Sequence, residues 1–476
     1  MATIEEKNQS TLGAALFALS LERSATHPLH MQLTEALRNL ILTMDAIAGA
    51  RLPSTRALSE ELSVSRMTVS TAYEQLLSEG YLVARRGAGT FVATDLPHLA
   101  PPRRPARAPV AKTTAQTWRP FQAGLPDHNL FPHQVWARHL ERAWRTPEPA
   151  LLQRPDPFGW FPLRQTICAH LSAWRGLDCR PEQIVVTAGA ADAFEIVFAS
   201  AVQGNGGIAH EDPGWASLRH LLARSSVPHQ AIRIDDQGLD AGLIPDGIGT
   251  VIVTPSRHYP TGIAMSLPRR LALLEWARKI NGVIIEDDYD SEFRYQGQPL
   301  PSLSGLDSLE NAIYLGSFSK LLSPALRISY IVVPERLLPQ VSTHLAQTGP
   351  RASLVPQPAL ARFMETGEFA GHLRRMRRVY SKRQAALVSA LEPLGDVIDV
   401  RADPAGMHLF CPIIAAGLSD QEISNRAGQV GLTVNAVSGQ SILSDPPQGL
   451  ILGYAGFEEN ALIEAAQTLI EVIRKV

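Results

Sequence analysis

The chain has 476 residues, 45% hydrophobic and 19% charged, with a formal net charge of −2. That length is too great for one small domain, and the balance fits a large apolar core, so two or three domains are expected. No chain-wide basic excess marks a nucleic-acid binder, so any DNA contact must come from a local patch.

Met1–Ser10 is polar, and the apolar stretch Leu12–Leu19 is too short to span a bilayer. With no signal peptide, membrane helix or internal repeat legible, a cytoplasmic chain with no membrane partner is expected. Cys168, Cys179 and Cys411 are far apart in sequence and form neither a metal spacing nor a disulfide framework, which fits a reducing compartment and no metal.

Residues 20–93 read as three helical segments and a hairpin. The first runs from about Leu29 to Leu42, with Met31, Leu33, Leu37 and Leu40 apolar. The second follows Pro53, with Ser54 as N-cap and Leu58 and Leu62 inward. The third starts at the N-cap Ser65, sets Val69, Ala72, Tyr73, Leu76 and Leu77 on one face, and stops at Gly80. The other face of its first turn shows Arg66, Thr68 and Ser70, the polar front that a recognition helix needs in a major groove. A hairpin follows, Tyr81–Ala84 and Thr90–Val92, around a tip with Arg85, Arg86, Gly87 and Gly89. Its glycines permit a tight turn, and its arginines sit where a wing meets phosphate or the minor groove. Arg51 and Arg56 bracket the second helix and suit backbone phosphates.

This unit resembles the GntR family of winged-helix regulators. The resemblance rests on Arg51-Leu52-Pro53-Ser54-Thr55-Arg56, Val64-Ser65-Arg66-Met67-Thr68-Val69, Tyr73-Glu74-Gln75-Leu76 and Gly87-Ala88-Gly89-Thr90-Phe91-Val92. It implies a double-stranded DNA operator as partner.

Residues 94–117 hold repeated prolines with Arg103, Arg104, Arg107 and Lys112, and no periodicity, as a linker does. From 118 to 476 short β-rich runs alternate with helices: Ile184–Thr187, Val251–Thr254, Val283–Glu286 and Ile313–Gly316. That alternation predicts an α/β domain with a mainly parallel sheet covered on both faces, followed from about Pro350 by a smaller α+β lobe.

The strand Ile313–Gly316 runs into Ser317-Phe318-Ser319-Lys320, then Pro324 and Arg327. A lysine at a buried strand end can form a Schiff base with an aldehyde, and two hydroxyls with an arginine suit a phosphate. By itself that loop reads equally well as a surface lysine among basic residues. The acidic run Glu286-Asp287-Asp288-Tyr289 tips the balance. Pyridoxal 5′-phosphate (PLP) needs an acid at its pyridine nitrogen, and Asp287 and Tyr289 suit the nitrogen and the ring 3-oxygen. Gly189, Ala190 and Ala191 open a helix and can offer backbone N–H groups to a phosphate. Trp215 reads either as a stacking aromatic or as a core residue.

This half resembles fold type I aminotransferases, and the chain over about 20–476 resembles the MocR subfamily of GntR regulators, which join the two parts. Further carrying segments are Gly124-Leu125-Pro126-Asp127, Glu211-Asp212-Pro213-Gly214, Thr254-Pro255-Ser256 and His372-Leu373-Arg374-Arg375-Met376-Arg377-Arg378. The resemblance implies Lys320 as the internal aldimine, Asp287 at the pyridine nitrogen, Tyr289 at the 3-oxygen and Trp215 over the ring. It places Ser317, Ser319 and Arg327 at the phosphate, and implies a domain-swapped homodimer.

Four departures bear on function. Arg154-Pro155-Asp156-Pro157 stands where the family often has Tyr-Gly-Asp-Pro. Ala191-Asp192 replaces Gln-Gln after the phosphate-binding glycine, so Asp192 is expected to point into solvent or a helix cap. Arg257-His258 precedes Tyr259 in place of His-Gln. The last strand, Gly449–Tyr454, has no arginine to hold a substrate carboxylate, and Ser217 stands where relatives responsive to γ-aminobutyrate carry one. Arg257 and Arg219 remain as anion contacts. The expected function is a PLP-dependent regulator sensing an amino-containing effector, or PLP itself, at Lys320, with no efficient transamination beyond a residual half-reaction. The alternative is an aminotransferase with an accessory DNA-binding domain.

Overall fold

The computed structural model describes residues 27–43, 47–85, 87–95, 118–202, 204–298 and 300–475, with Leu12, Leu16, Leu19 and residues 21–23 ahead of them. Arg86 and residues 96–117 of the expected linker lie outside the described residues. The chain divides into two compact units, Met1–Ala115 and Gln116–Val476.

In the first unit, helix α1 (Leu29–Thr43), α2 (Thr55–Glu61) and α3 (Arg66–Ser78) precede strands β1 (Leu82–Arg85) and β2 (Gly89–Val92). The 3.6-residue period of apolar groups buries Leu33, Leu37 and Ile41 of α1 against Val69, Ala72 and Leu76 of α3. Ser54 and Ser65 cap α2 and α3 by accepting from the N–H groups of Ala57 and Thr68, at 3.2 and 3.1 Å. Beyond α3 the chain reverses at Gly80, and the Tyr81 N–H closes on the Leu76 carbonyl at 2.9 Å. Arg85 and Gly89 are paired strand residues rather than part of the hairpin tip, because the β1–β2 register carries through to them. Met31, apolar like Leu33 and Leu37, is 48% exposed because the 3.6-residue period puts it on the opposite face of α1.

The second unit holds a seven-stranded sheet in the order β3 (Ile184–Thr187), β9 (Ser329–Val332), β8 (Ala312–Ser317), β7 (Val283–Asp288), β6 (Ile248–Val253), β4 (Gly207–Asp212) and β5 (His229–Arg233). It is parallel from β8 to β5, and β9 runs antiparallel to both its neighbours. The carboxyl ends of β3, β4, β6, β7 and β8 therefore share one edge, where ligands bind in open α/β sheets. Near-continuous apolar burial, as in Val283, Ile284 and Ile285, marks strands covered on both faces. Among the covering helices are α4 (Phe161–Arg175) and α5 (Ala190–Ser200), and α4 buries Leu163, Ile167 and Leu171 at successive turns.

Beyond a long helix, α6 (Glu368–Leu391), a small antiparallel sheet runs β10 (His408–Pro412), β12 (Gly449–Gly453), β11 (Asn435–Ala436). This is the smaller α+β lobe. Strands β4, β5 and β9 go unread in the sequence: β5 has a half-exposed pattern, and β4 carries His210, Glu211 and Asp212 inside a fully buried run. Past the left-handed Gly176 that ends α4, the chain brings the Cys179 sulfur to 3.4 Å from that of Cys168, both as free thiols.

Candidate functional site

In the first unit, Arg51, Ser54, Arg56, Ser65, Arg66, Arg85, Gly87 and Gly89 are exposed and Thr68 is half-buried. Ser54 and Ser65 are engaged as helix caps, while the arginines Arg56, Arg66 and Arg85 make contacts at the surface. The Arg66 Nε donates to Thr55 Oγ1 at 3.3 Å, Arg56 forms an exposed pair with Glu60 at 3.1 Å, and the Arg85 guanidinium lies 4.6 Å from the Phe91 ring centroid. Exposed ion pairs of that kind contribute little and exchange readily for a phosphate. Arg51 is drawn toward the wing: its residue bridges Phe91 across the strands, and a Cβ built at Gly89 would lie 3.0 Å from its Nε. Met67 is 71% exposed beside Arg66 on the first turn of α3, an apolar group that polar-front reasoning passes over.

In the second unit, a cavity of about 390 Å³ opens at the carboxyl edge of the sheet. Lined by Gly189, Ala190, Ala191, Trp215, Asp287, Tyr289, Ser317, Ser319, Lys320 and Arg327, it gathers every residue the sequence suggests for a cofactor. Lys320 sits in a single helical turn, Phe318–Leu321, directly after β8, and its Nζ donates to the Gly124 carbonyl at 2.6 Å. Burial pushes its pKa down, with Asp290 and Asp287 opposing, so more of the amine is uncharged and nucleophilic than on an exposed lysine. Asp287 stands near the end of β7, and burial, with Asp288 and Glu211 adding, pushes its carboxyl up to about 7. A cation beside it would offset that cost and stabilise the carboxylate.

Gly189 precedes α5 with φ 108°, and a Cβ there would lie 3.1 Å from the Arg327 Cζ, so only glycine lets this guanidinium close over the helix N-terminus. Ser317 Oγ accepts from the Ser319 N–H at 3.2 Å and from Ser329 Oγ at 2.9 Å. Asp192 does not point into solvent. It is 8% exposed, accepts from the Ala188 N–H at 2.7 Å as a cap, and pairs with Arg351 at 3.1 Å. Trp215 lines the cavity half-buried, its ring 6.3 Å from that of Phe194.

The cavity also takes in Gly124, Glu211, Thr254, Tyr259, Asp290 and His408, which composition and spacing do not single out as a group. Glu211 accepts from the N–H and hydroxyl of Thr254 at 2.9 and 2.6 Å, and burial pushes it up to about 7. Arg257, expected as an anion contact, is 2% exposed and enclosed by Asp403, Asp290 and Tyr289. Burial opposes its charge, but Tyr289, Asp403 and Asp290 outweigh that and hold its pKa above the ordinary arginine range. Arg219 donates to the Gly439 carbonyl at 3.1 Å, and Arg154 is exposed. Among the described residues no cluster of three or more His, Cys, Asp or Glu is placed to hold a metal, and no helix is long and apolar enough to cross a membrane.

Residues 29–92 match the family described as bacterial regulatory proteins, gntR family, and residues 126–432 match aminotransferase class I and II. The chain is 36% identical over 469 residues to the "Probable rhizopine catabolism regulatory protein MocR" of Rhizobium meliloti, covering 95% of each. To the "HTH-type pyridoxine biosynthesis transcriptional regulator PdxR" of Corynebacterium glutamicum it is 32% identical, covering 90% of this chain and 93% of the relative. In fold it is similar to the kynurenine aminotransferase of Pyrococcus horikoshii, with a TM-score of 0.67, 23% identity, and coverage of 75% of this chain and 90% of that one.

Proposed function

This chain belongs to the GntR family of bacterial transcription regulators, among the MocR-type members with an aminotransferase-like domain, and from that premise we propose that it binds PLP at Lys320 and senses there an amino-containing effector or PLP itself. The observation that carries the reading is the convergence, on one cavity, of the Lys320 amine, the Asp287 carboxyl and the Gly189–Arg327 cradle. When bound, PLP supplies an aldehyde that condenses with a primary amine and a ring that withdraws electrons.

The residues fit that group. Asp287 holds a proton on the pyridine nitrogen, and Tyr289, whose hydroxyl accepts from the Arg257 Nη1 at 3.1 Å, donates to the ring 3-oxygen. Backbone N–H groups at Ala190 and Ala191 with Ser317, Ser319 and Arg327 grip the phosphate, at the positive end of α5. Trp215 packs on the ring face. In the other unit Ser65, Arg66 and Thr68 read base edges, while Arg51, Ser54, Arg56 and the wing residues Arg85, Arg86, Gly87 and Gly89 hold backbone phosphates. The weakly charged chain makes specific binding depend on paired half-sites, as in a domain-swapped homodimer.

No arginine stands in β12 to orient a substrate carboxylate, so sensing rather than turnover is the reading. Fluorescence anisotropy of the full chain on DNA from its own promoter region tests it. PLP, or an amine added to the PLP-loaded protein, is expected to change the affinity about 5–150-fold, the usual span of allosteric coupling. Equal affinity in all three states would leave the second unit a scaffold.

A further inference from the structure

We propose that the cavity accepts a primary amine bearing no carboxylate or sulfonate — a plain or hydroxylated amine — because Arg257, which meets the lining residues Tyr289, Asp290 and His408, is withheld from acidic groups by its own partners. The proposal rests on the PLP reading above and adds the chemical class of the effector.

A guanidinium has five N–H donors, and gripping a carboxylate takes two on one edge. All five of Arg257 are engaged. Nε and Nη2 donate to Asp403 Oδ2 at 3.0 and 2.8 Å, and Nη2 also donates to the His408 carbonyl at 2.8 Å. Nη1 donates to the Tyr289 hydroxyl at 3.1 Å and to Asp290 Oδ2 at 3.3 Å. Backbone also crowds one side of the group. The backbone at Gly406 lies so close that a Cβ there would stand 2.3 Å from the guanidinium carbon.

The strand that could supply a substitute is apolar. In β12, Leu450, Ile451 and Leu452 are fully buried, next to β10, whose first residue, His408, lines the cavity. Among the described lining residues the cations are Lys320 and Arg327, both committed to PLP, while Glu211 and Asp290 stand on the wall beyond Asp287. An acidic substituent would be stripped of water with no free cation to answer it, whereas a hydroxyl finds polar partners in Glu211, Thr254 and His408. In the exchange, the effector nitrogen forms its bond to the PLP aldehyde carbon as the bond to Lys320 Nζ breaks. Lys320 takes up the protons the effector gives up, with no change of oxidation state.

The test titrates the PLP-loaded full chain with matched amines, ethanolamine against glycine and taurine, and propanolamine against β-alanine. Displacement of the Lys320 Schiff-base absorbance is read, and each amine is normalised to its reaction with free PLP. Alcohol amines are expected to bind about tenfold or more tighter than their acidic partners, the scale at which a site rejects a mismatched group. Equal or tighter binding of the acids, or a spectrum that no amine moves, overturns the proposal. Absence of the absorbance before any addition defeats the PLP reading itself, a separate result. Asp403→Ala, which removes the acceptor from the Nε/Nη2 edge of Arg257, should raise glycine and β-alanine affinity about tenfold, as bidentate capture does, and leave the alcohols unchanged. A loss shared by both classes would mark a merely structural role and contradict the proposal.

Discussion

The two units carry their chemistry in opposite ways. In the DNA-reading unit the candidate contacts Arg51, Ser54, Arg56, Ser65, Arg66 and Arg85 are exposed, within two consecutive helices and one hairpin of sequence. In the aminotransferase-like unit the decisive groups come from residues as far apart as Gly124 and His408, and several of their charges are buried. A surface reader needs only correct local structure, since water solvates its charges until phosphate replaces it. A buried site needs every charge answered by another, as Arg257 is by Asp290 and Asp403.

The sharpest way to break this contrast is Lys320→Ala. It should abolish the Schiff-base absorbance completely while far-ultraviolet circular dichroism stays unchanged; persistent absorbance would place the covalent seat elsewhere. Next in size, Arg257→Met should lower the unfolding free energy of the second unit by about 3–5 kcal/mol, because Asp290 and Asp403 lose their hydrogen-bonded partner and are left buried, charged or forced to take up a proton. Denaturant unfolding would show it, and no comparable loss should follow Arg56→Met in the exposed Glu60 pair.

Smaller still, Arg66→Ala should weaken specific DNA binding by about 1–3 kcal/mol, measured by anisotropy, with the unfolding midpoint unmoved. The mildest effect concerns Glu211, whose carboxyl burial pushes up to about 7. Its folded pKa lies above the unfolded value, so its stabilising share is present at low pH and is lost as pH rises toward and through about 7. Glu211→Gln removes that dependence. In PLP-free protein the melting temperature of the variant should gain on the parent as pH rises from about 5 to about 8, and parallel curves would contradict the burial argument.

The same contrast governs what can be read from sequence. Ser65, Arg66 and the Gly87–Gly89 wing are legible because caps, periodicity and turn residues act over a few positions. The strand–Ser317–Lys320 run and Asp287 are legible for a similar reason: each ends a short apolar strand. What goes unread depends on partners distant in the chain. Asp192 reads as either a solvated or a capping acid until Ala188 and the distant Arg351 decide for the cap, and Arg257 looks like a free anion contact until Asp403 arrives from another lobe. Strand β4 escapes because His210, Glu211 and Asp212 mask a buried strand as a polar turn, their cost offset by contacts such as Glu211 with Thr254.

The account turns on the covalent seat of PLP. The protein, incubated with PLP and reduced with borohydride, should carry one phosphopyridoxyl group, and peptide mass mapping should place it on Lys320. An unmodified Lys320 peptide, or label spread over surface lysines, would contradict it.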